Sequence, residues 1–364
     1  MLKVNVKQLK DAINQSLSSK TFPNVLLKTT GNTLKISSMD DDSYFSTSIG
    51  IIQKDNELIA LVDRKHLLNL LKTIKSEQID LSLQNEELII NTDKAVYHLE
   101  LRDPELFKTY GLDKDIDIGI RLPSKAVISA IDKVIYAISK DRYEYLKSVG
   151  FIFENNSFFV AGTDGDRLAV CDLKMQNIMN NRYGIPKSAA LHLKKLLKKD
   201  VLFGVVKNNS YEVGVFKGNN FILATRLTDG YPDILGAING YKEYITIEVR
   251  LSKDTILDVL RSFVIGKRDT NPVKLTLTNN NLSIVSLENN SQANINVDYT
   301  GNEYTINFNA LYLLEAIENI NSDEVILKLP SQNDYATYVE PVGNCNCLAL
   351  VMPMAWMCFI SLQN

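Results

Sequence analysis

Apolar and polar residues along the chain repeat one arrangement six times. Each time, a short alternating run gives way to a stretch with apolar residues at i, i+3 or i+4, and i+7. The first run is Leu2 to Val6, followed by Leu9, Ile13 and Leu17; the second is Leu58 to Val62, followed by Leu67, Leu70, Leu71 and Ile74. Ile118 to Leu122 precedes Val127, Ile131 and Val134, and Tyr183 to Lys187 precedes Ala189, Leu193, Leu196 and Leu197. Ile245 to Leu251 precedes Ile256, Leu260 and Val264, and Tyr304 to Phe308 precedes Leu313, Ile317 and Ile320. Period 2 predicts a half-buried strand, and the following spacing predicts a helix with one apolar stripe.

The junctions fall at Val6, Val62, Leu122, Ile185, Leu251 and Phe308, in steps of 56, 60, 63, 66 and 57 residues. Behind each helix come further alternating runs. Ile79–Leu83 and Leu88–Thr92 flank Gln84–Glu87, while Val273–Leu277 and Leu282–Val285 flank Asn279–Asn281. Both pairs predict β-hairpins. The repeat is therefore strand, helix, then about three strands. One helix covers its sheet poorly alone, so pairing repeats is the natural way to bury two stripes. The expectation is an α+β chain of three similar domains, with boundaries at residues 1–120, 121–243 and 244–364.

Composition adds exclusions. Lys and Arg number 40 against 43 Asp and Glu, a net charge of −3, so bulk charge demands no nucleic-acid partner. No apolar run reaches the roughly 18 residues of a membrane span, and the first residues lack a signal-peptide pattern. Both features predict the cytoplasm. The four cysteines are few and unevenly placed for a disulfide framework. Cys345-Asn-Cys347 lacks a zinc spacing, and no phosphate loop, GxGxxG or HExxH motif occurs. No catalytic residue, metal or cofactor is expected.

Charge is nonetheless segregated. The polar helix faces carry Lys10, Lys72, Lys125, Lys187, Lys194, Lys198 and Lys253, whereas the sixth helix carries Glu315 and Glu318. Cations on a shared face would suit sequence-independent phosphate binding, although an ordinary solvated helix face has the same composition.

Four phrases in order resemble a known family. Phe158-Phe-Val-Ala-Gly-Thr163-Asp-Gly-Asp-Arg167-Leu168 is similar to the Ala-Thr-Asp-Gly-His-Arg-Leu-Ala motif of the bacterial sliding clamp, the β subunit of DNA polymerase III. Arg226–Asp233, Phe308–Glu315 and Val351–Met354 resemble its later segments. The resemblance implies a DNA-clamp fold in a head-to-tail homodimeric ring, with helices lining a channel around double-stranded DNA and antiparallel sheets outside. It implies a non-catalytic processivity factor, cytoplasmic and nucleoid-associated. Its partners would be the polymerase III catalytic subunit, the clamp loader and other proteins with clamp-motif peptides.

By resemblance, a peptide pocket takes Leu146, Thr163, Gly165, Asp166, Arg167, Leu168, Leu350, Met352, Pro353 and Met354. DNA contacts fall at Lys20, Lys72 and Lys187, and the dimer interface at Leu106, Phe107, Val264 and Ile265. Asp166 replaces the family's usual His, Ala355 and Trp356 replace its terminal Arg-Leu, and residues 357–364 extend past its usual end. That extension is expected to lie in the pocket or lengthen its wall. Two other readings are a clamp-fold scaffold that does not tether DNA, and a metal hydrolase using Asp164 and Asp166 or Asp40 to Asp42.

Overall fold

The computed structural model describes residues 1–176, 180–208, 210–264, 270–289, 291–343 and 346–354. The order strand, helix, three strands recurs six times through them. The first repeat is β1 (Leu2–Asn5), α1 (Val6–Gln15), β2 (Asn24–Thr30), β3 (Thr33–Met39) and β4 (Ser43–Lys54). The second is β5 (Ile59–Asp63), α2 (Arg64–Thr73), β6 (Gln78–Gln84), β7 (Glu87–Asn91) and β8 (Val96–Glu100). The third is β9 (Ile120–Leu122), α3 (Ser124–Val134), β10 (Ser148–Glu154), β11 (Ser157–Thr163) and β12 (Arg167–Asp172). The fourth is β13 (Asn181–Pro186), α4 (Lys187–Leu196), β14 (Val201–Asn208), β15 (Tyr211–Lys217) and β16 (Phe221–Arg226). An additional helix, α5 (Ile234–Lys242), precedes the fifth repeat: β17 (Ile245–Ser252), α6 (Lys253–Phe263), β18 (Pro272–Thr278), β19 (Asn281–Ser286) and β20 (Gln292–Asn296). The sixth is β21 (Tyr304–Asn309), α7 (Ala310–Glu318), β22 (Glu324–Pro330), β23 (Thr337–Pro341) and β24 (Cys347–Val351).

The strand-to-helix switch has a local cause. The last strand residue turns back as a helix cap: Asn5 accepts from Gln8 N–H at 3.0 Å, Asp63 from His66 N–H at 2.6 Å, and Asn309 from Leu311 N–H at 3.1 Å. The predicted stripes are buried, with Val6, Leu9, Ala12 and Ile13 on α1 and Leu67, Leu68 and Leu71 on α2. The hairpins turn where the sequence places Asn: Asn85 and Glu86 have φ of 50° and 60°, and Asn280 has φ of 60°. Asn tolerates that left-handed region better than most residues.

The chain forms two compact units. Residues 1–125 and 188–227 make one, and 126–187 and 228–364 make the other. In the first, a sheet runs β8-β7-β6-β1-β4-β16-β15-β14-β9, with β3 also on β4, β2 on β3, and β5 on β2. The second holds an eight-stranded sheet, β13-β10-β11-β12-β24-β23-β22-β17, and a four-stranded sheet, β20-β19-β18-β21.

One bond departs from the expectation drawn from cysteine placement. Cys171 and Cys347, 176 positions apart, face one another in the β12–β24 ladder and are joined as a disulfide. Spacing concealed them because only pairing of the third and sixth repeats makes them neighbours.

Candidate functional site

In the second unit, the Asp-Gly-Asp turn between β11 and β12 is built from its own side chains. Thr163 Oγ1 donates to Arg167 O at 2.7 Å and accepts from Gly165 N–H at 3.1 Å. Asp164 Oδ1 accepts from the N–H groups of Asp166 (3.0 Å) and Arg167 (2.9 Å). Gly165, at φ +94°, occupies a conformation that strains any L side chain.

The turn fixes Arg167 in a closed network. Its Nε donates to Asp164 Oδ2 at 3.0 Å, and its Nη1 pairs with Glu315 of α7. The rings of Tyr312 and Tyr136 lie 4.3 and 5.5 Å from the guanidinium carbon. Burial pulls the Arg167 pKa down, but Glu315 and Asp164 outweigh it and leave it raised. Glu315 therefore does not make the sixth helix face acidic, and Glu318 pairs with Arg261 at 3.1 Å. Asp166 turns to Arg142, which donates to its Oδ2 at 2.6 Å and to Asp164 O at 2.7 Å. Asp166 raises the Arg142 pKa. Asp164 is thus spent on cations and amides, and Asp40 accepts from the N–H groups of Asp42 and Ser43. Among the described residues, no group of three or more His, Cys, Asp or Glu could hold a metal ion.

Next to this network lies an apolar floor. Leu168 and Val170 of β12 and Leu350 of β24 form one core cluster with Ile234 and Ile238 of α5, against which Leu348 and Met352 pack. Leu168 is 7% and Leu350 3% exposed, so the wall expected to be open is covered. The open part lies further along the same strands. It is a groove of about 490 Å³ whose lining includes Phe159, Val170, Leu235, Ile238, Lys242 and Leu348. The sequence reading passed over α5, although Asp233 followed by Ile234, Leu235, Ile238 and Tyr241 is a cap and a stripe. Asp233 accepts from Gly236 N–H at 3.0 Å. The close approach of Tyr231 to Gly150, where an added Cβ would lie 2.2 Å from the ring, came only from the fold.

The remaining predicted pocket residues frame this floor. Leu146 is buried in a short turn whose carbonyl accepts from Ser139 N–H at 2.8 Å. Met352 N–H donates to Asp166 O at 2.8 Å and Met354 N–H to Asn307 O at 2.9 Å, with Pro353 half-buried between them. Residues 355–364, including the extension, lie outside the described residues.

The predicted basic positions divide by environment. Lys20, Lys72, Lys125, Lys187 and Lys198 are exposed, and Lys10 and Lys194 are half-buried. Lys253 donates to Glu318 O at 3.0 Å and Ile320 O at 2.5 Å, closing the C-terminal end of α7. In the first unit, a cavity of about 730 Å³ is lined in part by Arg64, His192, Lys195, Lys198 and Asp40. Burial, then the charges of Lys195 and Arg64, pull the His192 pKa down to about 4. Arg121, Lys125, Lys198 and Lys199 line another cavity of about 600 Å³.

Of the predicted dimer residues, Leu106 is 64% exposed, and Phe107 packs against a cluster containing Met39, Tyr44 and Leu112. Val264 is half-buried as the C-cap of α6, and Ile265 lies outside the described residues. β8 and β20 are edge strands of their sheets and share one alternation of exposed and covered positions. No helix among the described residues is long and apolar enough to cross a membrane.

Comparison with known proteins gives a consistent picture. A family model described as "DNA polymerase III beta subunit, central domain" matches residues 121–233, and one described as its C-terminal domain matches 242–355. A beta sliding clamp of Proteus mirabilis is 23% identical over 346 residues, covering 91% of each chain. That of Escherichia coli strain K12 is 20% identical over 341 residues, again 91% of each. Among solved structures, the DNA polymerase III subunit beta of Pseudomonas aeruginosa has a TM-score of 0.87 at 19% identity, covering 98% of this chain and 100% of that one. The beta subunit of Thermotoga maritima has a TM-score of 0.82 at 18% identity, covering 97% and 99%. At these identities the structural likeness is one of fold.

Proposed function

Because the chain belongs to the family of bacterial DNA polymerase III beta subunits, we propose that it is a DNA sliding clamp, a ring-shaped homodimer that encircles duplex DNA and tethers the replicative polymerase. The observation that carries this reading is the sixfold repeat itself, which runs through the described residues from β1 to β24. The three domains, 1–120, 121–243 and 244–364, are supported by family-model matches that begin at residues 121 and 242. The activity is non-catalytic, and the protein works in the cytoplasm.

Lys20, Lys72, Lys125, Lys187 and Lys198 supply phosphate contacts across solvent, with Lys10 and Lys194 contributing from half-buried positions. Such contacts retain DNA and permit sliding because phosphates carry no sequence information. Lys253 is the weakest of these assignments, since its ammonium already serves α7. Partner peptides, including those of the polymerase and the loader, dock beside the Asp-Gly-Asp turn against half-buried Met352, Pro353 and Met354, with the buried Leu168 and Leu350 behind them. The Arg142–Asp166 pair forms the rim. The dimer closes by pairing β8 of one subunit with β20 of the next. Leu106 and Phe107 come after β8 in the chain, and α6, capped by Val264, packs against β20.

The test is solution mass by light scattering, followed by retention on closed circular DNA. A mass near twice 41.0 kDa that falls to one subunit in Val264→Asp, together with retention lost on linearising the DNA, is the expected result. A dimer that does not stay on circular DNA would favour a clamp-fold scaffold.

A further inference from the structure

Within the eight-stranded sheet of the second unit, four strands come from residues before α5 and four from residues after it. Among the described residues, one ladder joins the two sets: β12 with β24, from Arg167 opposite Val351 to Cys171 opposite Cys347. That seam is fastened at both ends. At one end, Arg167 is held by Asp164 and by Glu315 from the far side. At the other end, Cys171 and Cys347 are bonded.

The two cysteines differ in exposure. Cys171 is 2% and Cys347 9% exposed. Cys347 also lines two cavities, the groove of about 490 Å³ beside α5 and another of about 710 Å³ whose lining includes Lys133, Lys253, Asp254 and Asp323. A disulfide whose Cys347 borders solvent-connected cavities is placed for exchange with a small thiol, and exchange is governed by access to the sulfur. The seam also has other fastenings, namely the ladder, the ion network and the α5 cover, so its halves have reason to stay together when the sulfurs are reduced.

We propose that Cys171 and Cys347 are a reversible redox staple across this seam, closed and opened by a glutathione-class thiol–disulfide couple. In closing, the Cys347 thiolate attacks one sulfur of glutathione disulfide. This forms a Cys347–glutathione mixed disulfide and releases one glutathione thiolate. The Cys171 thiolate then attacks Cys347 Sγ, forming the protein disulfide and expelling the second glutathione. Two electrons pass from the protein thiols to glutathione disulfide, and the two thiol protons end on the two glutathiones. Opening is the reverse, with glutathione as reductant. The closed bond restrains a loop of 176 residues, which narrows the unfolded ensemble and resists separation of β12 from β24.

The inference does not depend on the sliding-clamp reading, because its test requires neither DNA nor partner. The Cys345→Ser/Cys358→Ser variant, which leaves two thiols, is equilibrated in glutathione buffers from fully reduced to fully oxidised. It is then quenched with a mass-tagging alkylator and melted. Expected are two tags in reducing buffer and none in oxidising buffer, with a midpoint at an intermediate ratio. The oxidised form should melt roughly 5–10 °C higher. Adding Cys171→Ser should abolish that difference, and reduction of the wild type with dithiothreitol should reproduce it without any substitution. Two tags persisting in excess glutathione disulfide would overturn the proposal. So would equal melting of oxidised and reduced protein, or a disulfide that excess glutathione cannot open in the folded state.

Discussion

Replacing Arg167 with Ala removes the cation that joins β12 to α7. Asp164 is 7% exposed and would lose its guanidinium partner, although it would keep two backbone N–H donors. Glu315, with its side chain 31% exposed, would recover part of its hydration. Removing one member of a buried pair costs about 3–5 kcal/mol, and the retained donors place Asp164 near the lower end. Loss of the Tyr312 and Tyr136 faces adds to this, but relief at Glu315 offsets it, so the net is about 3 kcal/mol. At 1.4 kcal/mol per decade, that is roughly a 150-fold change in an opening equilibrium. Native-state hydrogen exchange reads it locally: amides of β12, β24 and α7 should exchange about 100-fold faster in Arg167→Ala. Those of β6 and β7, in the other unit, should be unaffected. Arg167→Lys should recover part of the loss, since it restores charge without the planar fork. A change below threefold in β12 and β24, or equal acceleration in β6 and β7, would refute the reasoning.

Three further outcomes are expected. His192, held neutral with a pKa of about 4 against 6.5 when unfolded, makes the unfolded chain bind more protons between those values. Its contribution is therefore full above pH 6.5 and lost as pH falls towards 4; after allowance for partial exposure it is about 2 kcal/mol. Thermal melting at pH 7 and 4.5 should show a smaller acid loss in His192→Gln than in wild type, and an identical loss would remove the argument. Gly150→Ala places a methyl against the Tyr231 ring and should cost about 1–3 kcal/mol. The loss should appear as a lower urea midpoint with Tyr231 displaced from Ala161 O, and an unchanged midpoint would contradict it. Lys72→Ala and Lys187→Ala should each weaken DNA retention for all sequences alike and reduce the slope of log affinity against log salt by about 1. An unaltered slope would exclude phosphate contact at that position.

Much of the architecture was legible from periodicity. The six junctions fall within two residues of the observed helix starts at Val6, Arg64, Ser124, Lys187, Lys253 and Ala310. Both hairpins turn at the Asn-containing segments named in advance. Stripe, alternation and cap are local properties, imposed by one residue on its neighbours, so a linear reading captures them. The Thr163–Arg167 turn was visible for the same reason, because its hydrogen bonds close over a few residues. What Arg167, Asp166 and Glu315 do was not visible. Arg167 and Glu315 are 148 positions apart, and Asp166 turns away from its sequence neighbour to Arg142, 24 positions upstream. The Cys171–Cys347 bond, the cover laid over Leu168 and Leu350 by α5, and the burial that keeps His192 neutral are of the same kind. Each depends on which strands and helices meet, and that choice comes from burying apolar faces of the whole chain at once. Sequence alone determined the six repeats, and tertiary structure decided which of their side chains became partners.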